Sequence, residues 1–331
     1  MKNFAYARPA SAKEALQLIS GSGSSKFLGG GTNLVDLMRE RIEQPDTVID
    51  ISRLPLQQIE ENADGGVTIG ACVKNSAAAA NRTIREHFPV LSQAIVFGAS
   101  GQIRNMATIG GNLMQRTRCE YFYDHAALCN KRNPGAGCDA IGGFNRMHAI
   151  LGASPSCIAT HPSDMCVALA ALDATVEVEG PLGARSIKLT DFHRLPGDTP
   201  QIETQLGPDE LITAVNVPKL DAARNSVYRK IRDRASYAFA LVSVAAVLET
   251  DNGNIRTARL ALGGVAHKPW RAFAAEEMLQ GSPANEESFR RAAEITLQGA
   301  QGFEYNSFKI ELAKRVIVSA LSELAAKGGQ Q

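Results

Sequence analysis

Three consecutive glycines, at positions 29 to 31, are the feature that most restricts how this chain can fold. They lie between residues 26–28, which have the pattern of a short strand, and a helical pattern over residues 33–41. Bare backbone in such a turn can approach a phosphate closely, and its amide N–H groups can bind one. The alternative is a flexible turn between a strand and a helix. The first hypothesis is therefore a pyrophosphate-binding loop at residues 29–33, in an α/β unit that ends with a strand at residues 47–51.

Two further signals accompany this loop, which by itself fits no common phosphate motif. It lacks the lysine of a P-loop and has Leu34 where a dinucleotide fingerprint has its third glycine. A second glycine loop, Ala-Thr-Ile-Gly-Gly-Asn, spans residues 107–112. A polar pair, Ser163 and Asp164, then precedes an apolar helical segment at residues 165–172. The carboxylate of Asp164 is suited to accept hydrogen bonds from hydroxyl groups.

The composition excludes several classes of function. The chain has 331 residues, of which 44% are hydrophobic, so it can bury a large core and form more than one domain. Its 35 Lys and Arg residues balance 34 Asp and Glu residues, which leaves no overall field to attract nucleic acid or an anionic membrane. The amino terminus has no apolar run typical of a secretory signal. We therefore expect either cytoplasmic residence or export in folded form beside a partner that carries the signal.

The periodicity of the sequence predicts a mixture of helices and strands. A capping box over residues 11–14 is expected to begin the first helix. A change of pattern after residue 221 places a smaller α/β domain at residues 222–331. The other predicted elements are a hairpin over 59–73, helices over 75–97, strands at 174–178 and 211–217, a second hairpin over 239–265, and helices from 271 to 327.

Four of the six cysteines lie in one segment rich in glycine and charge, at about residues 116–160. A chain of this length does not need disulfides for stability, so the clustering indicates a metal site. Four thiolates on loops suit a [4Fe-4S] cluster. Zinc is the alternative, although zinc sites usually have cysteines two to four residues apart and no interval here is that short. The candidate ligands are Cys119, Cys129, Cys138 and Cys157, whereas Cys72 and Cys166 lie in apolar segments and are expected in the core.

Cations and histidines surround these cysteines. The cations are expected to offset the negative charge of a cluster, and the histidines to make ordinary polar contacts rather than replace a thiolate. A separate basic run at residues 229–234 is expected to be a solvated face, with a role at an interface or flavin edge as the alternative. The cations are Arg116, Arg118, Lys131, Arg132 and Arg146, and the histidines are His125, His148 and His161.

Together, the two glycine loops and the Ser-Asp pair resemble the flavoprotein subunits of xanthine dehydrogenase, carbon monoxide dehydrogenase and bacterial aldehyde oxidoreductases. In that family a Gly-Gly-Gly-Thr loop and a Thr-Ile-Gly-Gly-Asn loop bind FAD. The resemblance covers nearly the whole chain, including Gly263 through Arg271. It implies an α+β fold. A two-part FAD-binding domain of the vanillyl-alcohol-oxidase (PCMH) type would occupy residues 1–221, and a smaller α/β domain of the CO dehydrogenase flavoprotein type would occupy residues 222–331.

The resemblance also implies which residues bind FAD. The two loops would contact the pyrophosphate and the ribityl chain, and Asp164 would accept hydrogen bonds from sugar or ribityl hydroxyls. Ile212, through its backbone, and Lys230, through its ammonium, would lie beside the flavin ring. The full set is Lys26, Phe27, Leu28, Gly29, Gly30, Gly31, Thr32, Asn33, Leu34, Ala107, Thr108, Ile109, Gly110, Gly111, Asn112, Asp164, Ile212 and Lys230.

Most members of this family lack the cysteine segment, but a minority, which the chain resembles, carry a [4Fe-4S] cluster in it. The resemblance to the periplasmic aldehyde oxidoreductases implies an oxidoreductase subunit of a heterotrimer. Aldehyde oxidation would occur in a molybdenum-cofactor-binding large subunit, and electrons would arrive through a [2Fe-2S] small subunit and leave to an external acceptor. The complex would be exported folded with a signal-bearing partner, or be cytoplasmic if that partner lacks a signal. The rival hypotheses are a stand-alone FAD-dependent oxidase or dehydrogenase and a zinc-stabilised scaffold protein.

Overall fold

The amino-terminal part of the chain forms a small parallel sheet. A computed structural model describes residues 1–21 and 23–328. The first elements are β1 (Ala5–Ala7), α1 (Ala12–Ser20), β2 (Ser25–Leu28), α2 (Leu34–Arg39) and β3 (Thr47–Asp50). The strands lie in the order β1-β3-β2. The predicted capping box is confirmed at α1, because the Ser11 hydroxyl accepts a hydrogen bond from the Glu14 amide at 3.2 Å. The Glu14 carboxylate in return accepts one from the Ala10 amide at 2.7 Å.

A second sheet of five antiparallel strands lies beside the first. Its strands are β4 (Ile59–Glu61), β5 (Val67–Gly70), β6 (Thr175–Gly180), β7 (Gly183–Lys188) and β8 (Leu211–Val217). They lie in the order β4-β5-β8-β6-β7. The hairpin predicted from the glycine-rich turn is confirmed, with Gly65 at φ +89. The sequence did not predict β7, because most of its side chains are exposed and polar and give no alternating apolar pattern.

Short helices connect and cover these two sheets. They are α3 (Asn75–Ala80), α4 (Arg82–His87), α5 (Pro89–Phe97), α6 (Gly101–Met106), α7 (Ile109–Leu113), α8 (Glu120–Tyr123), α9 (Asp164–Ala171) and α10 (Leu189–Phe192). The helical pattern predicted over residues 75–97 is thus divided in three. Asn81 ends α3 and caps α4 through the Ile84 amide, and Pro89, which has no N–H to lose, begins α5. Every residue of α9 is buried, which makes it a central core helix.

The carboxy-terminal part is a four-stranded antiparallel sheet covered by helices. Its elements are a 3-10 turn (Asp221–Arg224), β9 (Ser226–Ile231), β10 (Val242–Asp251), β11 (Asn254–Gly263), β12 (Trp270–Arg271), α11 (Phe273–Leu279), α12 (Glu286–Thr296) and α13 (Phe308–Gly328). The order is β12-β11-β10-β9, so the second predicted hairpin is confirmed. The basic run begins inside β9 and is mostly solvated, as expected: Arg229 and Arg234 are exposed, and Lys230 is the buried exception. Residues 329–331 of the predicted domain lie outside the described residues.

Two large apolar cores hold these layers together. One surrounds α9 and includes Tyr228 and Ala245 from the carboxy-terminal sheet, so this sheet packs against the amino-terminal part. The other lies between that sheet and α11 to α13. Among the described residues, no helix has both the length and the apolar character needed to cross a bilayer.

Candidate cofactor sites

A cleft of about 550 Å³ is lined by both glycine loops, by Ser25, Lys26 and Phe27 of β2 and by the start of β8. Most of the residues expected to bind FAD line this cleft. Leu28, Ala107, Ile109, Asn112, Asp164 and Lys230 do not line it. The predicted residues that line the cleft are Lys26, Phe27, Gly29, Gly30, Gly31, Thr32, Asn33, Leu34, Thr108, Gly110, Gly111 and Ile212.

The first glycine loop presents a run of unpaired amides to the cleft. The N–H groups of residues 29–34 donate to no backbone carbonyl in the described part of the chain, whereas the next amide, that of Val35, bonds to the Gly31 carbonyl at 3.1 Å. Gly31 has φ +75, a conformation that glycine adopts without strain. Because unpaired N–H groups need acceptors, six in succession form a cradle for an anion. This geometry fits the pyrophosphate of FAD.

The second glycine loop uses its amides differently. The Ile109 amide donates to the Val73 carbonyl at 3.0 Å, and the Gly110 amide to the Ala71 carbonyl at 2.8 Å. The next two amides donate to the hydroxyl and the carbonyl of Thr108, at 3.2 and 2.8 Å. This loop is therefore held to the segment after β5. The second loop forms a wall of the cleft with its amides already paired, whereas the first loop lines the cleft with unpaired N–H donors.

The two loops also cross in close contact, and small residues make this possible. A Cβ atom at Gly30 would lie 2.0 Å from the Met106 carbonyl oxygen, and one at Gly29 would lie 2.7 Å from the Thr108 hydroxyl. Glycine at these positions is thus required by loop packing as well as by the approach of a phosphate.

A partly buried ion-pair network, which the sequence did not predict, connects the cleft with the cysteine segment. The Arg116 guanidinium donates to Glu203 at 2.6 Å and to Glu43 at 2.8 Å, and the Arg116 amide donates to the Asn33 side chain at 2.9 Å. Lys131 donates to the other oxygen of Glu203 at 2.6 Å. Burial disfavours the charged form of Glu203, but Lys131 and Arg116 overcome this effect and lower its pKa to about 2. Arg116 therefore fixes the position of the first glycine loop.

Three buried histidines lie beside the same cleft. Burial lowers the pKa of His193 and of His267 to about 4, and that of His161 well below the ordinary value. The rings of His161 and His193 are 4.1 Å apart, and each has one buried nitrogen without a partner in the described residues. With Cys166, their possible ligand atoms lie within 4.8 Å of one another. Since these imidazoles are neutral, they present acceptor nitrogens next to the cleft.

Asp164 and Lys230 form a buried ion pair. The Lys230 ammonium lies 2.8 Å from Asp164, and the Tyr228 hydroxyl donates to the other carboxylate oxygen at 2.6 Å. The side chains of Lys230 and Asp164 are only 1% and 6% exposed. Asp164 lines a second cavity of about 90 Å³, which shares Thr117, Thr160 and His161 with the cleft. The contacts of Asp164, Lys230 and Ile212 with a flavin remain predictions.

The four cysteines of the segment at residues 116–160 form one group of free thiols. A backbone bridge pairs Cys129 with Cys138. Burial raises the pKa of Cys119 to about 12, and the thiols of Cys129 and Cys157 add to this effect. Burial likewise raises the pKa of Cys157 to about 11, with contributions from Cys138 and Cys129. The four predicted ligands therefore lie within electrostatic range of one another, although they are up to 38 residues apart in sequence. Cys72 and Cys166 are buried in the core, as predicted.

The sulfur atoms are spaced more widely than ligands of a single ion. Four thiolates at about 2.3 Å from a tetrahedral zinc ion lie about 3.8 Å from one another. Among the described residues, no three of these cysteines have sulfur atoms that all lie within 4.8 Å of one another. A [4Fe-4S] cluster is larger than one ion and holds its thiolates farther apart, so the spacing fits the cluster better than zinc.

In the described residues, one backbone N–H group donates to these sulfur atoms, that of Ala159, which lies 3.5 Å from the sulfur of Cys157. Hydrogen bonds of this kind stabilise thiolate charge and help to set the reduction potential of a cluster.

Only some of the surrounding cations are available to offset the negative charge of a cluster, as was expected of all five. Three of the five, Arg116, Lys131 and Arg146, already pair with carboxylates. Arg132 donates to three carbonyls, and Arg118 lies over the Phe239 ring. The sequence did not predict these ion pairs because the carboxylates come from distant parts of the chain, and local charge patterns do not reveal them.

One histidine also departs from its expected role. His125 makes an ordinary contact with the Glu40 carbonyl at 2.7 Å. His148, in contrast, places its Nε2 atom 3.1 Å from the sulfur of Cys119. It therefore contacts a candidate ligand instead of an unrelated polar group.

The fold and the amide-lined cleft are those of an FAD-binding protein. Residues 2–220 match the family described as the FAD binding domain in molybdopterin dehydrogenase, and residues 226–323 match the CO dehydrogenase flavoprotein C-terminal domain. The chain belongs to this family of FAD-binding subunits of molybdenum-dependent oxidoreductases. The predicted α+β fold, with its FAD-binding and CO dehydrogenase flavoprotein parts, is confirmed.

Individual relatives agree with this assignment. The chain is 51% identical, over 99% of its length and 100% of the relative's, to the aldehyde oxidoreductase FAD-binding subunit PaoB of Escherichia coli (strain K12). It is 29% identical to the glyceraldehyde dehydrogenase medium chain of Sulfolobus acidocaldarius, with 97% of this chain and 98% of the relative covered. Among solved structures, carbon monoxide dehydrogenase from Hydrogenophaga pseudoflava has a chain that is 26% identical, with a TM-score of 0.76 and 98% of each chain covered.

Proposed function

We propose that this chain is the FAD and [4Fe-4S] electron-transfer subunit of a molybdenum-dependent aldehyde oxidoreductase. It takes electrons from a [2Fe-2S] partner and passes them to an external acceptor, and the aldehyde is oxidised in the molybdenum subunit. The observation that carries the proposal is that one chain combines six unpaired amides in a cleft with a group of four free thiols. The flavin supplies exchange between one-electron and two-electron transfer.

The chain's own residues prepare the cleft for this task. The amides of residues 29–34 provide donors for a pyrophosphate, and Arg116 keeps that loop in place through Asn33. The Arg116–Glu203–Lys131 network holds the cysteine segment against the same cleft. The two candidate redox sites are therefore joined by partly buried, fully paired charges rather than by a mobile linker.

The proposal of a [4Fe-4S] cluster over zinc is supported by the spacing of the sulfur atoms, no three of which lie within 4.8 Å of one another in the described residues, and by the Ala159 N–H group that donates to Cys157. The alternative, a zinc-stabilised scaffold without flavin, does not account for the cleft or for the family match. A stand-alone flavin oxidase would need a substrate site with its own catalytic base, and the cleft has the features of a cofactor site.

We further propose a heterotrimer with a molybdenum-cofactor-binding large subunit and a [2Fe-2S] small subunit. The support is the 51% identity to a protein named as the FAD-binding subunit of an aldehyde oxidoreductase. The location we propose is the periplasm, reached in folded form with a signal-bearing partner, because cofactors must be inserted before such export.

Aldehyde turnover tests this function. The purified chain alone should not oxidise aldehydes with an artificial electron acceptor, whereas the co-expressed three-subunit complex should do so. Turnover by the isolated chain would overturn the electron-transfer proposal and favour the stand-alone enzyme. Cell fractionation that finds the assembled complex only in the cytoplasm would overturn the proposed location alone.

A further inference from the structure

Lys309, in the first turn of α13, is a buried cation without an anionic partner in the described part of the chain. Its side chain is 0% exposed. The ammonium donates to the carbonyls of His148 at 2.8 Å and Gly264 at 2.5 Å. No carboxylate contributes to its environment, and burial, with a contribution from Arg146, lowers its pKa to about 7. An isolated buried ammonium is costly, so the fold must gain something by keeping it.

The position of Lys309 indicates that the anion nearest to it would be a cluster bound at Cys119. Both of its acceptors, His148 and Gly264, line the cavity of about 90 Å³ that Cys119 also lines. The His148 ring contacts the sulfur of Cys119 at 3.1 Å. His148 therefore contacts both groups: its backbone carbonyl accepts from the Lys309 ammonium, and its ring contacts the candidate ligand Cys119.

The neighbouring cations cannot serve this purpose equally well. Arg116, Lys131 and Arg146 each have a carboxylate within 2.8 Å. A cluster held by four thiolates is negatively charged and buried, and it needs positive charge that other carboxylates do not already neutralise. Arg118 and Arg132 also have no carboxylate partner in the described residues, but both are partly exposed, whereas Lys309 is fully buried.

We propose that Lys309 is the counter-charge of the cluster at the Cys119 end and positions His148 against that ligand. The carboxy-terminal domain would then help to set the reduction potential of a group bound in the amino-terminal part. This inference rests on the proposed function. Reduction adds one electron, taken from the reductant, and a nearby protonated Lys309 favours the reduced state.

The test is a potentiometric titration of the purified full chain, followed by electron paramagnetic resonance, in the wild type, Lys309→Met and Lys309→Arg. We expect Lys309→Met to have a roughly tenfold lower equilibrium constant for reduction, equivalent to about 59 mV for a one-electron couple. Lys309→Arg, which keeps the charge, should restore most of the difference. Lys327→Met is the matched control, because Lys327 lies at the other end of α13 and pairs with Glu323 on the surface.

A second measurement separates charge from simple packing. In the iron-free full chain, Lys309→Met should raise the melting temperature, because it removes an uncompensated buried charge. If Lys309 were purely structural, Met would lower the stability of the iron-free and loaded forms alike and leave the potential unchanged.

The outcomes are distinguishable. Loss of iron in Lys309→Met with retention in Lys309→Arg would support the inference, since charge alone differs. An unchanged potential in Lys309→Met, or loss of iron in both variants, would overturn it. Absence of iron from the wild type would instead overturn the proposed [4Fe-4S] function on which it rests.

Discussion

The cleft and the cysteine segment are both candidate cofactor sites, but they are built in different ways. The cleft uses backbone amides on a loop that is fixed between β2 and α2 by regular elements with their own core. The cysteine segment uses side chains on a stretch whose single helix is α8, and the small apolar cluster beside it consists of Leu37, Phe122 and Cys129. Because regular elements hold the glycine loop, we expect the flavin site to be formed before flavin binds. The cysteine segment should depend on its cluster.

The largest expected effect is that of Cys129→Ser. It should remove the iron completely and leave residues 116–148 open to proteolysis, because one small apolar cluster holds this part, whereas Ile150 and Leu151 lie in the large carboxy-terminal core. Iron analysis and limited proteolysis measure both outcomes. Cys72→Ser is the matched control, since Cys72 is also buried but lies far from the segment, with its sulfur 3.3 Å from the Ile51 carbonyl. Full iron content in Cys129→Ser would remove this residue from the ligands.

Gly30→Val should come next, and it should affect the other region. The new Cβ would lie 2.0 Å from the Met106 carbonyl, so the two loops must separate, at a cost of roughly 3 kcal/mol. Flavin should be lost on gel filtration while iron is retained. Gly142→Val is the control, because a Cβ there meets nothing within 4 Å. Loss of iron together with flavin would show that the two regions do not form independently.

The acid dependence of stability tests the link between the two regions. The folded-state pKa of Glu203, about 2, lies below its ordinary value of 4.5. Its stabilisation is therefore complete above pH 4.5 and is lost as the pH falls toward 2. We expect a contribution on the order of 2 kcal/mol, reduced by the 23% exposure of the side chain.

Denaturant unfolding of the wild type and Glu203→Gln at several pH values measures this contribution. The difference in unfolding free energy between the two proteins should be largest above pH 4.5 and shrink toward pH 2. A difference that does not change with pH would mean that the Lys131 and Arg116 pairs contribute through shape alone.

Gly111→Ala should have the smallest effect. The added Cβ would meet the Thr108 hydroxyl at 3.0 Å, and a side chain can move where a backbone cannot. The helix preference of alanine offsets this contact, so stability should stay within about 1 kcal/mol of the wild type. Flavin should remain bound, because the amides of this loop are already paired within the protein. Flavin loss here would contradict the distinction between the two glycine loops.

The sequence predicted what depends on local pattern. The glycine loops, the capping box at Ser11, both hairpins and the grouping of four cysteines follow from spacing and residue type. It did not predict features that depend on distant contacts. Glu203 meets Arg116 and Lys131 across 87 and 72 residues, and Lys309 meets His148 across 161. No local signal marks these residues.

Exposure explains why β7 was not predicted. Strand β7 has few buried side chains, and β9 carries its basic residues on a sheet edge where Lys230 turns inward to Asp164. The unequal use of amides in the two glycine loops also depends on tertiary contacts with the segment after β5. The domain boundary at residues 221 and 222 stays a prediction.

Cofactor analysis of the purified chain tests the central claim most directly. We predict one non-covalent FAD per chain, released by acid, together with the four irons and four sulfides of a [4Fe-4S] cluster and no stoichiometric zinc. Yellow colour that stays in the acid precipitate would contradict non-covalent binding. Stoichiometric zinc without iron, in a chain that shows no flavin absorption, would contradict the account of both sites.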